Sequence, residues 1–227
     1  FLPQGPLTVC QALPPYVVSM GTTVERNPDM RNKKTKKMVL FSMLLAIEVI
    51  LSFTPLGFLR VGFLSVTMLH IPVIICAMAL GKRYGAALGF VMGFCSFYNA
   101  TFQPTITSFC FTPFFSMGGV QGNWTSLLIA FVPRIALGYG SGWIYEKLLH
   151  RNENAAALIA GLSGAAINTI GVLGGIWIFF KAPYEAVLGN TIVALLMTTV
   201  GVNSIAEAII GASVALAAHA VLRHKTL

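Results

Sequence analysis

The sequence predicts an all-α integral membrane protein, a bundle of six transmembrane helices with both termini in the cytoplasm. Three observations carry that expectation. The 227 residues are 56% hydrophobic and 10% charged, with a mean hydropathy of +0.78, far more apolar and less charged than an ordinary soluble domain. A hydrocarbon core of about 30 Å needs about 20 apolar residues per helix, so the apolar length beyond residue 37 holds roughly six spans and leaves no room for a soluble catalytic domain. The basic residues sit in short clusters between apolar runs, where Lys and Arg set orientation. The formal charge of +8 therefore reads as topology determinants and headgroup contacts, not as a nucleic-acid surface.

The elements follow in order. Residues 1–36, with Pro3, Pro6, Pro14, Pro15 and Pro28, hold no apolar run long enough to cross a bilayer and no signal-peptide pattern,. They are expected to be a disordered or interfacial tail, and residues 37–227 the membrane domain. Span one runs from Met38 to Leu56, behind Arg31, Lys33, Lys34, Lys36 and Lys37. Phe58 to Thr67 is a loop or short extended hairpin after Pro55-Leu56-Gly57,. Span two, about Leu69 to Leu80, is short, and the basic turn Gly81-Lys82-Arg83-Tyr84-Gly85 leads into span three, which reaches about Tyr98.

Asn99 to Asn123 contains no charged residue and several breakers. It is too apolar for a solvated loop and is expected to fold back over the membrane domain. Span four covers Ser126 to Leu148, span five Ala155 to Phe180, and span six Asn190 to Leu222. Basic residues then cluster at the N-tail, after spans two and four, and at the C-tail, which places the loops after spans one, three and five outside.

Small residues recur every four positions: Ser42 and Ala46, Gly85, Gly89 and Gly93, Gly138 and Gly142, Gly171 and Gly175. Such rows let helix backbones approach closely. Packing within the bundle is the ordinary reading, and docking of a partner helix the functional one. Ser42 and Ala46, with Gly85 and Gly89, are the candidates for docking.

Several chemistries are missing. No P-loop, HExxH or GxSxG sequence occurs, and Cys10, Cys76, Cys95 and Cys110 form no metal-ligand spacing,. Neither a metal nor a cofactor is expected, and any ATP hydrolysis must come from another chain. His70 beside Pro72 reads as a helix-start residue, with no second ligand at i+4,.

Ionisable residues inside spans are functional candidates, and Glu48, Arg134 and Glu207 are such residues,. Arg134 lies in the outer third of span four and needs an anion nearby, either Glu48 or Glu207 within the protein or a ligand. Glu207 shares a helix face with Asn203. Asn168, Asn190, Tyr98, Asn99 and Gln103 add uncharged polar groups near an aromatic wall of Phe102, Phe109, Phe111, Phe114 and Phe115. Polar groups converging in an apolar wall suit a small-molecule site.

Leu69-His70-Ile71-Pro72-Val73-Ile74, the run from Leu80-Gly81-Lys82-Arg83 through Gly85, Gly89 and Gly93, and Pro133-Arg134-Ile135 together resemble the substrate-binding S components of energy-coupling factor (ECF) transporters, over about residues 37–223. The resemblance implies a multi-pass protein of the bacterial cell membrane, with six helices and an outward pocket lidded by the loops after spans one, three and five. It also implies a non-catalytic subunit that captures a vitamin and docks onto a transmembrane coupling subunit and two cytoplasmic ATPases. Where the family carries an alanine pair on helix one, this chain has Ser42 and Ala46.

The run Thr107 to Phe114 is most similar to the pantothenate-specific members, and a single arginine suits a ligand with one carboxylate. Folate or another vitamin is the alternative within the family. A stand-alone ion-coupled carrier, with Glu48 or Glu207 titrating, is the alternative of another class.

Overall fold

The structure, a computed structural model, describes residues 28–54, 57–61, 64–103, 108–117, 120–188 and 204–220.

Helix α1 spans Pro28–Phe53 and so begins inside the segment expected to be a disordered or interfacial tail. The local chemistry explains the difference. Pro28 stands at the first helical position, where its missing N–H has no intrahelical partner to lose, and the Met, Arg and Lys residues that follow are good helix formers. Leu44, Glu48 and Ser52 recur at four-residue spacing and are buried,. Ser42, Met43, Ala46, Ile47 and Ile50 are exposed.

Gly57 follows α1, buried, and a side chain there would strike the Leu51 carbonyl and Leu69. An antiparallel hairpin comes next, β1 (Phe58–Val61) with β2 (Leu64–Thr67), in the register Phe58↔Thr67 and Val61↔Leu64. This is the extended alternative allowed by the sequence. Helix α2, His70–Leu80, has 11 residues, about 16 Å and half the apolar thickness of a bilayer. It stops at Gly81, whose φ of 100° suits glycine, so that α3, Lys82–Phe102, starts at the next residue.

Helices α3 and α4 (Thr125–Leu148) pack antiparallel along their small residues. Gly85 faces Gly138, Gly89 faces the backbone of Arg134, Gly93 faces Ala130 and Phe131, and Gly142 faces Lys82. Helix α5, Glu153–Leu188, breaks its regular geometry at Phe180 (φ −128°, ψ 17°). It lies antiparallel to α4, with Gly171 against Pro133 and Gly175 against Ile129. Helix α6, Ser204–Ala220, meets α5 where Gly161 faces Gly211 and Ala212. Its expected start near Asn190 lies outside the described residues.

Six helices thus account for most of the described chain. Of these, Thr125–Leu148 and Glu153–Phe180 are long and apolar enough to cross a membrane, whereas His70–Leu80 and Ser204–Ala220 are apolar but shorter.

Between α3 and α4, Ser108, Phe109, Cys110 and Thr112 turn inward, whereas Phe114 is exposed. A short 3₁₀ turn over Ser108–Cys110 is buried, and β3 (Ser116–Met117) pairs with β4 (Val120–Gln121). Phe109 and Cys110 pack with Ile129 and Phe180. Ser126 donates its hydroxyl to the Phe109 carbonyl at 2.9 Å, and Thr101 donates to Thr112 at 2.8 Å. The larger core joins Leu44, Leu69, Ile74, Leu88, Met92, Leu137 and Ala160. At the end of the bundle that holds the turn between α4 and α5, Tyr145 and His219 are hydrogen-bonded at 2.9 Å, and His219 Nε2 lies 3.5 Å from Glu153.

Candidate functional site

Arg134 organises the site, and its geometry begins with its neighbour. Pro133 sits inside α4 and lacks the N–H that would bond to the carbonyl four residues earlier. That carbonyl belongs to Ile129, and Arg134 Nη1 donates to it at 2.6 Å. The side chain therefore lies back along its own helix, the direction helical side chains favour. The pair is not at the start of the fourth helix but two turns inside it, so Pro133 opens a local gap that Arg134 fills.

The guanidinium is buried, with 8% of the residue exposed. Its carbon lies 5.2 Å from the centre of the Phe111 ring, a cation–π distance. Its Nε, also buried, makes no hydrogen bond. Ion pairs among the described residues join Lys82 to Glu146 at 2.9 Å and His219 to Glu153 at 3.5 Å. Arg134 is in neither, so the internal pair with Glu48 or Glu207 that the sequence allowed does not form. Leaving a buried charge without a counter-ion is costly, which is the physical reason to look for an anionic ligand here.

The other predicted residues divide into three groups. Asn99 and Asn168 stand in the interior: Asn99 Nδ2 donates to the Ser52 carbonyl at 2.7 Å, while the Oδ1 atoms of both are buried and make no hydrogen bond. Glu207 is buried on α6. Tyr98 and Gln103 are exposed at the C-terminal end of α3. Tyr98 stacks on Phe102 at 4.4 Å and meets Phe53 edge-on at 5.3 Å. Gln103 closes the helix by donating its backbone N–H to the Asn99 carbonyl at 2.8 Å. Asn190 and Asn203 lie outside the described residues.

The docking candidates divide as well. Ser42 and Ala46 are exposed on α1, with the Ser42 hydroxyl folded onto the Met38 carbonyl at 2.9 Å. Gly85 and Gly89 are buried against α4, so this row packs the bundle.

Sequence reasoning named Glu48 as an ionisable residue but not as part of the site. It is fully buried, and neither carboxylate oxygen makes a hydrogen bond. The four-residue spacing Leu44, Glu48, Ser52 was the available signal, since it sets the carboxylate on the helix face that also carries a core leucine. The Tyr145–His219 contact spans 74 positions and left no local pattern to read.

Comparison with known proteins places the chain in a family. Residues 36–218 match the model of the family described as "ECF transporter, substrate-specific component". The chain is 35% identical over 184 residues to the "Pantothenic acid transporter PanT" of Lactococcus lactis subsp. cremoris, covering 80% of this chain and 90% of that protein. It is 32% identical over 197 residues to the "Pantothenate transporter PanT" of Leuconostoc mesenteroides subsp. mesenteroides, covering 80% of this chain and 89% of that one. A match of this extent, around a half-membrane helix α2, a glycine-packed α3 and a buried Pro-Arg pair, makes the chain a member of the ECF transporter substrate-specific components, a family of bacterial membrane transport subunits.

Proposed function

We propose that this protein captures pantothenate on the outer side of the bacterial membrane and delivers it inward, together with a transmembrane coupling subunit and two cytoplasmic ATPases. The relatives named as pantothenate transporters support the ligand. The observation that carries the reading is the buried Arg134. Among the arginines and lysines whose side chains the structure describes, it is the buried one, and it has no carboxylate partner among the described residues. One guanidinium suits a ligand with one carboxylate, held by parallel N–H bonds. Phe111 and the buried 3₁₀ turn form the wall on the outer side, in keeping with loops that close over an outward pocket. The N-in, C-in orientation rests on the basic clusters in the first turns of α1 and in the turns after α2 and α4,.

The test is calorimetric titration of pantothenate and its neutral alcohol, pantothenol, into wild type and Arg134→Gln. Wild type should prefer the acid strongly. The Gln variant should lose about 2–5 kcal/mol of binding, the range for breaking a buried charge pair, and most of the preference with it. A folded Gln variant that discriminates acid from alcohol as wild type does removes Arg134 from the binding site.

A further inference from the structure

The helix registers place Glu48 and the Arg134 guanidinium at one depth in the bundle, on different walls. Along α1 and α3 the pairs Phe41–Tyr84 and Phe53–Tyr98 set Glu48 level with Met92 and Gly93. Gly93 in turn faces Ala130 and Phe131 on α4, and the Arg134 side chain reaches to Ile129. The carboxylate and the guanidinium are nevertheless not within ion-pair distance, since neither ion pair among the described residues involves them.

Glu48 Oε1 and Oε2, Asn99 Oδ1 and Asn168 Oδ1 are buried acceptors, and Arg134 Nε is a buried donor on a cation. Gly171 against Pro133 and Gly175 against Ile129 put Asn168 about 9 Å further along the bundle than the guanidinium. Asn99, six residues beyond Gly93, lies about 9 Å to the other side. Buried polar groups are ordinarily paired, and a carboxylate most of all. A ligand that bridges the two groups at one depth carries an anionic group for Arg134 and a hydrogen-bond donor for Glu48.

We infer that Glu48 is a specificity-determining residue of the pantothenate site, accepting hydrogen bonds from the hydroxyl end of the ligand while Arg134 holds the carboxylate end. This rests on the proposed function above. Pantothenate offers two hydroxyls and an amide N–H as donors, and its hydroxyl end is the one that meets Glu48; Asn99 and Asn168, about 9 Å to either side, are too far apart for one such ligand to reach both,. The amide of Gln at position 48 keeps one acceptor oxygen but puts an NH₂ donor in place of the other, so a hydroxyl donating to the lost oxygen meets another donor. Glu48 thus selects a hydroxyl-bearing ligand over a merely anionic one, which Arg134 alone does not.

The experiment is a cycle of two proteins and two ligands: wild type and Glu48→Gln, each titrated with pantothenate and with its analogue lacking the terminal hydroxyl. Removing the hydroxyl should weaken binding to wild type at least about tenfold, and the same removal should cost Glu48→Gln far less. Glu48→Asp, which keeps the charge but draws it back, should fall between the two. The inference is overturned if wild type binds the deoxy analogue as tightly as pantothenate, a result that does not depend on any variant folding. It is equally overturned if a folded Glu48→Gln protein keeps the full hydroxyl preference. If wild type binds neither compound, the failure belongs to the pantothenate reading itself, and the same titrations with a panel of other vitamins separate the two cases.

Discussion

The Arg134 side chain gives the Ile129 carbonyl a hydrogen bond, at 2.6 Å, where Pro133 has no N–H to offer. A helix defect and its repair thus position the buried cation. Replacing Pro133 by Ala restores the main-chain donor, so Ile129 no longer needs the guanidinium. We expect Pro133→Ala to raise the melting temperature, since proline in a helix interior costs up to about 3 kcal/mol. It should also weaken pantothenate binding about tenfold by releasing the side chain from its anchor. Unchanged affinity in the calorimeter would mean that other contacts suffice to hold Arg134.

Gly89 sets the distance between α3 and the Arg134 backbone, because any Cβ there would collide with the Arg134 carbonyl. Gly89→Ala should force the helices apart and lower stability by about 1–3 kcal/mol, the usual cost of overpacking. Gly174 is the control, since a methyl there meets no atom within 4 Å. Gly174→Ala should leave the melting temperature unchanged or raised. Equal loss in both variants would show that backbone flexibility, not close approach, matters at Gly89.

Phe111 covers the guanidinium at 5.2 Å. Phe111→Leu preserves apolar bulk but removes the negative ring face, so affinity for pantothenate should fall about three- to thirtyfold, in line with about 1–2 kcal/mol for a partly desolvated cation–π contact. Stopped-flow kinetics should assign most of this to faster dissociation. A variant with wild-type rates in both directions would reduce Phe111 to a packing residue.

The exposed Ser42 and Ala46 lie on α1 with Met38, Met43 and Ile50, also exposed. If a partner helix docks there, replacing both small residues by Leu should impair co-purification of the coupling subunit while leaving pantothenate affinity within about twofold. Parallel loss of binding and assembly would place this face within the bundle.

Energy coupling is tested in liposomes. The protein alone should bind pantothenate without accumulating it when ATP is present, and accumulation should begin when a coupling subunit and two ATPases are added. Uptake by the lone chain under a proton or sodium gradient would instead favour a carrier in which Glu48 or Glu207 titrates.

Composition and periodicity by themselves pointed to a helical membrane protein, the turn at Gly81, a loop or hairpin after Gly57 and an uncharged aromatic segment that folds back on the bundle. These are local properties: apolar run length, a glycine with positive φ, and a stretch without charge each act on neighbouring residues. The sequence also marked Glu48, Arg134 and Glu207, because a charge in an apolar run is visible without a partner. The beginning of α1 at Pro28 was missed because helix propensity there is local, whereas the expectation for that tail followed apolar length alone. What only the tertiary structure decided is which charges meet. Arg134 turns to Ile129 and Phe111, Glu48 faces inward from another wall at the same depth, and Gly85 and Gly89 pack against α4. Those outcomes depend on helix register, and register is set by contacts between residues distant in the chain, such as Gly89 against Arg134 and Gly171 against Pro133.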